Sequence, residues 1–397
     1  MKVTFKASEL QRRITQLGSV ISSKAPTPAY ALVQFYAKPG EQTQFIGTSL
    51  AATLTVFLKE ESVTTGDGEV SLLLNYQHFA KVIAGYPYSE GYFDVEDGKV
   101  TLRGPKKYRA VLEVKSEPDF RVPLPAEGEP ITLRLADLQQ QIAEVEYAID
   151  TKNTKFSVTT VRLEARGDKG ALTMIASDGF RIVFSTKSVN VGTFDATLPK
   201  SALDLIKGLD GSENVTMYQS ESGFCFRTEK EYLTVQRTGG EFPKYEGILP
   251  KTHKTTIEVP KPLFEAVVKA MEPLADADKP VVIFSVTSGG KNEAGEYVPT
   301  AGSLKLEAEH VRAGTGTDLT FDDVGSDEIE DGILVTGPAA TFSMDVKMLG
   351  EFLRQVKMDK IRIQTKAADT VVDFWASETF RYLQMPTRPK PAPAPAA

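Results

Sequence analysis

Two hydrophobic periods alternate along the chain. Near the start, Val3-Thr4-Phe5 reads as a short strand, and Leu10, Ile14, Leu17 and Ile21 follow at the spacing of one helix face. The phrase returns as Ile131-Thr132-Leu133 with Leu138, Ile142, Val145 and Ile149. It returns again as Thr256-Ile257-Glu258 with Phe264, Val268, Met271 and Ala275. Leu10 and Leu138 stand 128 positions apart, and Leu138 and Phe264 stand 126 apart, so the chain carries a threefold internal repeat.

Later phrases keep this phase. The strand-like Phe45-Ile46-Gly47-Thr48-Ser49 sits where Met174-Ile175-Ala176-Ser177-Asp178 sits in the second repeat. A second helix is predicted in each repeat, over 75–85, 199–209 and 345–357, with Asn75, Pro199 and Asp345 at the N-terminal ends where capping residues and proline are favoured. Alternating β-rich runs such as Val215-Thr216-Met217-Tyr218 and Ile361-Arg362-Ile363-Gln364 follow. The third repeat is longer, and its extra residues, 288–303 and 313–341, are rich in Gly, Asp, Glu and Thr and read as surface loops. Residues 389–397 are almost all Pro and Ala, the composition of a disordered, extended tail.

The expected architecture is α+β, with three domains over 1–127, 128–254 and 255–388. Each has two helices and enough strands to pair sideways with a neighbour. Six such domains suit a closed ring, so three per chain implies a head-to-tail dimer with two equivalent joints. If sheets form the outer rim, helices line the hole.

Composition changes this picture little. Hydrophobic residues make up 41% and charged residues 25% of 397, ordinary for a globular protein. No apolar run reaches the roughly 18 residues of a membrane span, no secretory signal is recognisable, and Cys225 is the single cysteine. These features lead us to expect a cytoplasmic protein without disulfides. The net charge of −7 argues weakly against nucleic acid. A ring enclosing DNA is the physical exception, because only its inner wall needs cations.

Three short motifs complete the reading: Ala176-Ser177-Asp178-Gly179-Phe180-Arg181-Ile182, Glu241-Phe242-Pro243-Lys244-Tyr245 with Ile248-Leu249-Pro250, and Tyr382-Leu383-Gln384-Met385-Pro386-Thr387-Arg388. In this order and frame, the chain resembles the β subunit of bacterial DNA polymerase III, the DNA sliding clamp, over its length up to Arg388. The resemblance implies three tandem DNA-clamp domains and a ring that tethers the replicative polymerase to duplex DNA without catalysis or cofactor. It also implies a pocket between the second and third domains for a short hydrophobic motif carried by the polymerase catalytic subunit, the clamp loader and repair proteins. By position, its lining is Val158, Ser177, Gly179, Phe180, Arg181, Ile182, Pro243, Gly247, Ile248, Met385, Pro386, Thr387 and Arg388. Gly247 stands where many clamps have Arg, and Thr387 replaces a usual apolar residue.

On the helices expected to face the hole, the cations are Arg12, Arg13, Lys81, Lys200, Lys207, Lys261, Lys269, Lys347, Arg354 and Lys357, with Lys24 on the following loop. Such contacts read phosphate charge and not base sequence, as sliding requires. The helix from Asp137 to Asp150 has Glu144 and Glu146 and no cation, which predicts a patchy inner surface. For the joint, the resemblance implies Met271 and Leu274 of the third domain against an edge strand near Tyr108, Ala110 and Leu112 of the first.

Two other function classes are weighed against this one. An enzyme needs a constellation the chain lacks: His78, His253 and His310 have no zinc-like spacing, no phosphate-binding loop or nucleophile elbow is present, and Cys225 lies in an alternating strand-like run. A repeat-built scaffold without DNA binding would share the period, but it would show neither inner-wall cations nor a bound linear motif. Any single cation is as well explained by a solvated helix face; Ser177-Asp178-Gly179 reads as a plain turn outside the repeat frame and as part of the pocket within it, and Phe374 and Trp375 read as packing aromatics.

Overall fold

The computed structural model describes residues 1–21, 27–58, 64–96, 98–117, 120, 129–150, 159–167, 170–190, 192–211, 213–219, 223–237, 242–310, 315–321 and 332–387. The six predicted helices form as α1 (Ala7–Leu17), α2 (Tyr76–Ala84), α3 (Leu135–Val145), α4 (Lys200–Lys207), α5 (Lys261–Met271) and α6 (Val346–Leu353). Their starts follow the local chemistry. The Asn75 side chain accepts the His78 amide at 3.0 Å, and Asp345 accepts the Lys347 and Met348 amides, each at 3.0 Å. Glycines end α2 and α4. The repeated apolar positions, from Leu10 and Ile14 to Val268 and Met271, are all buried.

The chain divides into two compact units, and the division cuts across the middle repeat. The first comprises 1–139, 189–192 and 198–239. It holds a five-stranded antiparallel sheet, with Lys2–Lys6 inside it and Arg109–Leu112 at one edge, and a nine-stranded sheet. At the middle of the larger sheet Ala52–Phe57 pairs with Glu231–Gln236, joining strands from the first and second repeats. Phe5, Phe35, Phe45, Phe79 and Phe93 form a continuous ring cluster to which α2 contributes Phe79. Cys225 is buried in a strand of the nine-stranded sheet.

The second unit comprises 140–188, 193–197 and 240–397. Its ten-stranded sheet repeats the joining device: Arg181–Ser188 pairs with Phe380–Gln384, Ile182 opposite Leu383 and Arg181 opposite Gln384. A four-stranded sheet built around Val281–Val286 belongs to the third repeat, whose helices α5 and α6 pack against each other. Phe374 is buried in its strand, while Trp375 packs against the guanidiniums of Arg362 and Arg381 at 5.3 and 4.5 Å.

One loop expectation needs correction. Residues 315–321 form a strand paired over its whole length with Leu304–His310, and 334–336 and 300–301 add rungs to the ten-stranded sheet. Thr-rich alternation suits a strand, and composition alone reads it as loop because Gly and Asp dilute it.

Candidate functional site

The site in the second unit starts from a four-residue turn. Asp178 accepts the amides of Phe180 and Arg181, each at 3.0 Å, and the Ser177 hydroxyl donates to the Arg181 carbonyl at 2.8 Å. Gly179 takes φ +91°, a region costly for any residue with a Cβ. This geometry throws Phe180 outward, 65% exposed, while Ile182 on the next rung is buried. Strand pairing then brings in the C-terminal motif: the Met385 amide donates to the Phe180 carbonyl at 2.9 Å. Beyond it, Thr387 is held to Ser343 by a backbone bond and by a hydroxyl-to-carbonyl bond of 2.7 Å.

The middle motif folds over the same sheet face. Phe242, Tyr245 and Leu249 pack on Ile175, Ile182, Phe184 and Leu383, forming an apolar floor. The Tyr245 hydroxyl donates to Glu164 at 3.0 Å, and burial first, then that carboxylate, pushes its pKa well above the ordinary tyrosine value. Ile248 follows on a turn closed by its amide on the Tyr245 carbonyl and stays 49% exposed. A groove of about 340 Å³ continues past Tyr245 and Leu249, lined by Phe184, Trp375 and Arg381. Seven large apolar side chains are exposed among the described residues, and three of them, Phe180, Ile248 and Met385, stand at this site. Such a concentration marks a binding surface better than scattered apolar residues do.

The nominated lining residues play different parts. Phe180, Ile248 and Met385 are exposed, Pro243, Pro386 and Thr387 are half-buried, and Ser177 and Ile182 lie beneath them. Gly247 is exposed, and a Cβ there would meet nothing within 4 Å. Arg181 is not an open wall: it is 8% exposed, and its guanidinium reaches Asp178 (2.8 Å), Glu351 (2.6 Å) and the carbonyls of Tyr147 (2.7 Å) and Met348 (3.2 Å). Its position beside the exposed Phe180 suggests a ligand contact, but two carboxylates satisfy its fork from within. Val158 and Arg388 lie outside the described residues. Tyr245, Leu249 and Leu383 belong to the floor although only their motifs, not their roles, are evident in sequence.

The nominated cations separate in the same way. Lys81 on α2, Lys269 on α5, and Lys347, Arg354 and Lys357 on and after α6 are exposed and make no ion pair with a described residue. Arg12 is exposed but bonded to Asp210 at 2.8 Å, Lys200 and Lys207 share Asp204, and Lys261 holds Glu265. Arg13 must be withdrawn, because it is fully buried with Leu10, Ile14 and Leu17 on the inner face of α1. Its spacing from Leu10 and Leu17 already placed it on the apolar stripe. Burial lowers its pKa, against the attraction of Glu231. Glu231 is itself fully buried, held by the Asp210 amide and by Gln16, and burial raises its carboxyl to about 7. Glu144 is likewise buried, accepting from Ser185 and Gln140, so α3 does not present that charge to solvent. Lys24 lies outside the described residues.

At the nominated joint, Arg109–Leu112 is an edge strand as expected, with Tyr108 packed edge-on against Tyr86 and Tyr88. The outward positions differ by one residue from the expectation, however: Leu112 is buried and Ala110 half-buried, while Val111 is 57% exposed. A one-residue shift in a strand exchanges its faces. Met271 is fully buried in the core of the third repeat, and Leu274 is half-exposed in the turn after α5.

The family model for the central domain of the DNA polymerase III beta subunit matches residues 132–244. The beta sliding clamp of Synechococcus elongatus is 22% identical over 403 residues, spanning 97% of this chain and 99% of the relative. That of Synechocystis is 22% identical over 316 residues, spanning 74% and 75%. Among solved structures, the DNA polymerase III subunit beta of Pseudomonas aeruginosa aligns with a TM-score of 0.81 at 15% identity, over 98% of this chain and 100% of that one. The sliding clamp of Bacillus subtilis aligns with a TM-score of 0.81 at 17% identity, over 98% and 99%. The fold is therefore the α+β fold of these proteins.

Proposed function

We propose that this chain, which belongs to the beta-subunit family of bacterial DNA polymerase III, acts as a DNA sliding clamp, and that Phe180, Ile248 and Met385 form the rim on which its partners dock. The observation that carries the docking site is the convergence of three distant motifs on one sheet face in the second unit. Aliphatic and aromatic walls with an adaptable methionine suit a short hydrophobic motif. Each Leu-sized side chain buried there contributes roughly 1.5–3 kcal/mol, so two or three anchors reach the about −8 kcal/mol of micromolar binding.

In this reading the chain has three domains, 1–127, 128–254 and 255–388, with residues 389–397 as a tail, and two chains close a head-to-tail ring. The dimer joint uses the exposed face of the Arg109–Leu112 edge strand. Lys81, Lys269, Lys347, Arg354 and Lys357 contact phosphates without reading sequence. The partners are duplex DNA, the polymerase catalytic subunit, the clamp loader and other proteins bearing the motif, in the cytoplasm, and the chain itself performs no catalysis.

The test is a fluorescence-anisotropy titration of a labelled peptide carrying Gln-Leu-x-Leu-Phe against the wild type, Phe180→Asp and Met385→Asp. Saturation near micromolar peptide, lost in both folded variants, supports the site. Failure to bind a folded wild type overturns it. The rival scaffold reading predicts no salt-sensitive retention on circular duplex DNA.

A further inference from the structure

The repeats allow the two units to be compared residue by residue at their joining hairpins. Thr48 opposes Thr53 as Ser177 opposes Ile182, so the turn 49–52 is the counterpart of 178–181. Ser49 accepts the amides of Ala51 and Ala52 at 3.3 and 3.1 Å, as Asp178 accepts those of Phe180 and Arg181. The Gln236 amide bonds the Ala51 carbonyl at 2.9 Å, as the Met385 amide bonds that of Phe180. The hydrogen-bond frame is therefore shared, although Gly179 takes a positive φ and its counterpart Leu50 does not, and Ala52 stands where Arg181 stands.

Each contact of Arg181 has a counterpart as well. Tyr147, just after α3, corresponds to Ser19, just after α1; Met348 and Glu351 of α6 correspond to Ala202 and Leu205 of α4. In the second unit the guanidinium fills the space among these groups. In the first, Ser19, Ser49, Ala52, Ala202 and Leu205 line a cavity of about 300 Å³ among the described residues, with Asp204 on its wall. Alanine stands at the arginine position, and a cavity takes the place of the side chain.

We infer that this cavity receives the arginine side chain of a partner protein segment, docked as Arg181 is docked within the chain. By repeat position, the carbonyls of Ser19 and Ala202 are the counterparts of those that accept from Arg181. The Ser49 hydroxyl takes the place of the Asp178 oxygen that caps the turn, and Asp204, one residue from the Glu351 position and paired with Lys200 at 2.9 Å and Lys207 at 3.6 Å, is the carboxylate that the guanidinium shares with them. The walls of Val20, Ala202 and Leu205 match the propyl stem, which prefers apolar surroundings while its head stays polar. Leu50, at the tip of the same turn, is 63% exposed and gives a protein segment an apolar contact that a free small molecule would not use. The motif rim of the second unit has no counterpart here, since Ala51 and Gln236 replace Phe180 and Met385. The cavity is thus a separate site with different chemistry.

The test uses the full chain, with n-propylguanidinium and the peptide acetyl-Gly-Arg-Gly-amide as probes, read from the amide resonances of Ser19, Ala51, Ala52 and Ala202. Controls are n-butylammonium, acetyl-Gly-Lys-Gly-amide and n-butanol. Both guanidinium probes should saturate these resonances at millimolar concentration, at least about tenfold tighter than the ammonium probes. Ala52→Arg fills the cavity from within and should abolish binding. Ala202→Met, carrying the side chain of the equivalent position in α6, should weaken it, and decides the matter if Ala52→Arg does not fold. Equal binding of butanol, binding of propylguanidinium without the arginine peptide, or no response in the wild type each overturns the assignment.

Discussion

Removing the guanidinium of Arg181 isolates what the second unit's clamp on its own hairpin contributes. Arg181→Met keeps most of the stem but leaves the Asp178 and Glu351 carboxylates, 11% and 31% exposed, without their cation. It also deprives the Tyr147 and Met348 carbonyls of a donor. Breaking a buried pair from one side costs about 3–5 kcal/mol, and because Glu351 can turn toward water, the lower end, about 3 kcal/mol, applies. Arg181→Lys, retaining charge without the fork, should lose about half of that. The chain's only tryptophan, Trp375, lies in the second unit, in the strand beside Phe380–Gln384, so its fluorescence reports unfolding of this unit during urea titration. The midpoint should fall by roughly 1–2 M in Arg181→Met. Adding Asp178→Asn and Glu351→Gln, which remove the stranded charges, should recover part of the loss. A loss below about 1 kcal/mol, or no recovery on neutralising the two acids, would refute the view that the guanidinium is held as an internal ion cluster.

Glu231, raised to about 7 by burial, holds its proton more tightly in the folded chain than in the unfolded one. Its contribution is therefore complete below the unfolded value near 4.5 and declines as pH rises through about 7; Glu231→Gln should flatten the pH dependence of first-unit stability in that window, measured by thermal scans from pH 4 to 9. Val111→Asp should shift the chain toward monomer in sedimentation without altering its circular dichroism, whereas Leu112→Ala, inside the sheet, should cost about 2–5 kcal/mol of stability. Gly179→Ala has open space for its Cβ but a positive φ, so backbone strain alone should cost about 1–2 kcal/mol, read as a lower urea midpoint.

The repeat, the six helices and strands such as those at 215–218 and 361–364 were legible in the sequence because a 3.6-residue period or an alternation leaves a mark wherever one face meets a core. The three motifs also marked the segments that meet on one sheet face. What they could not give was the part each residue plays. Phe180 and Arg181 are neighbours, yet one faces solvent and the other is inside, because Gly179 and the Asp178 cap set the turn. The cations on α2, α5 and α6 read correctly as exposed, apart from the half-buried Lys261, while Arg13 did not, although its place on the stripe of α1 was there to be counted.

By itself, then, the chain's pattern determined which segments form helices and strands, that they recur three times, and which short motifs are candidates for recognition. Only the tertiary structure decided that Ile182 and Leu383 sit in register, bringing together motifs some 200 positions apart. It alone showed that a charged side chain fills one hairpin pocket and that its counterpart is left open by Ala52. Local periodicity is a property of neighbours along the chain. Burial of a particular charge and the presence of a cavity depend on groups from remote segments, which sequence order does not bring together.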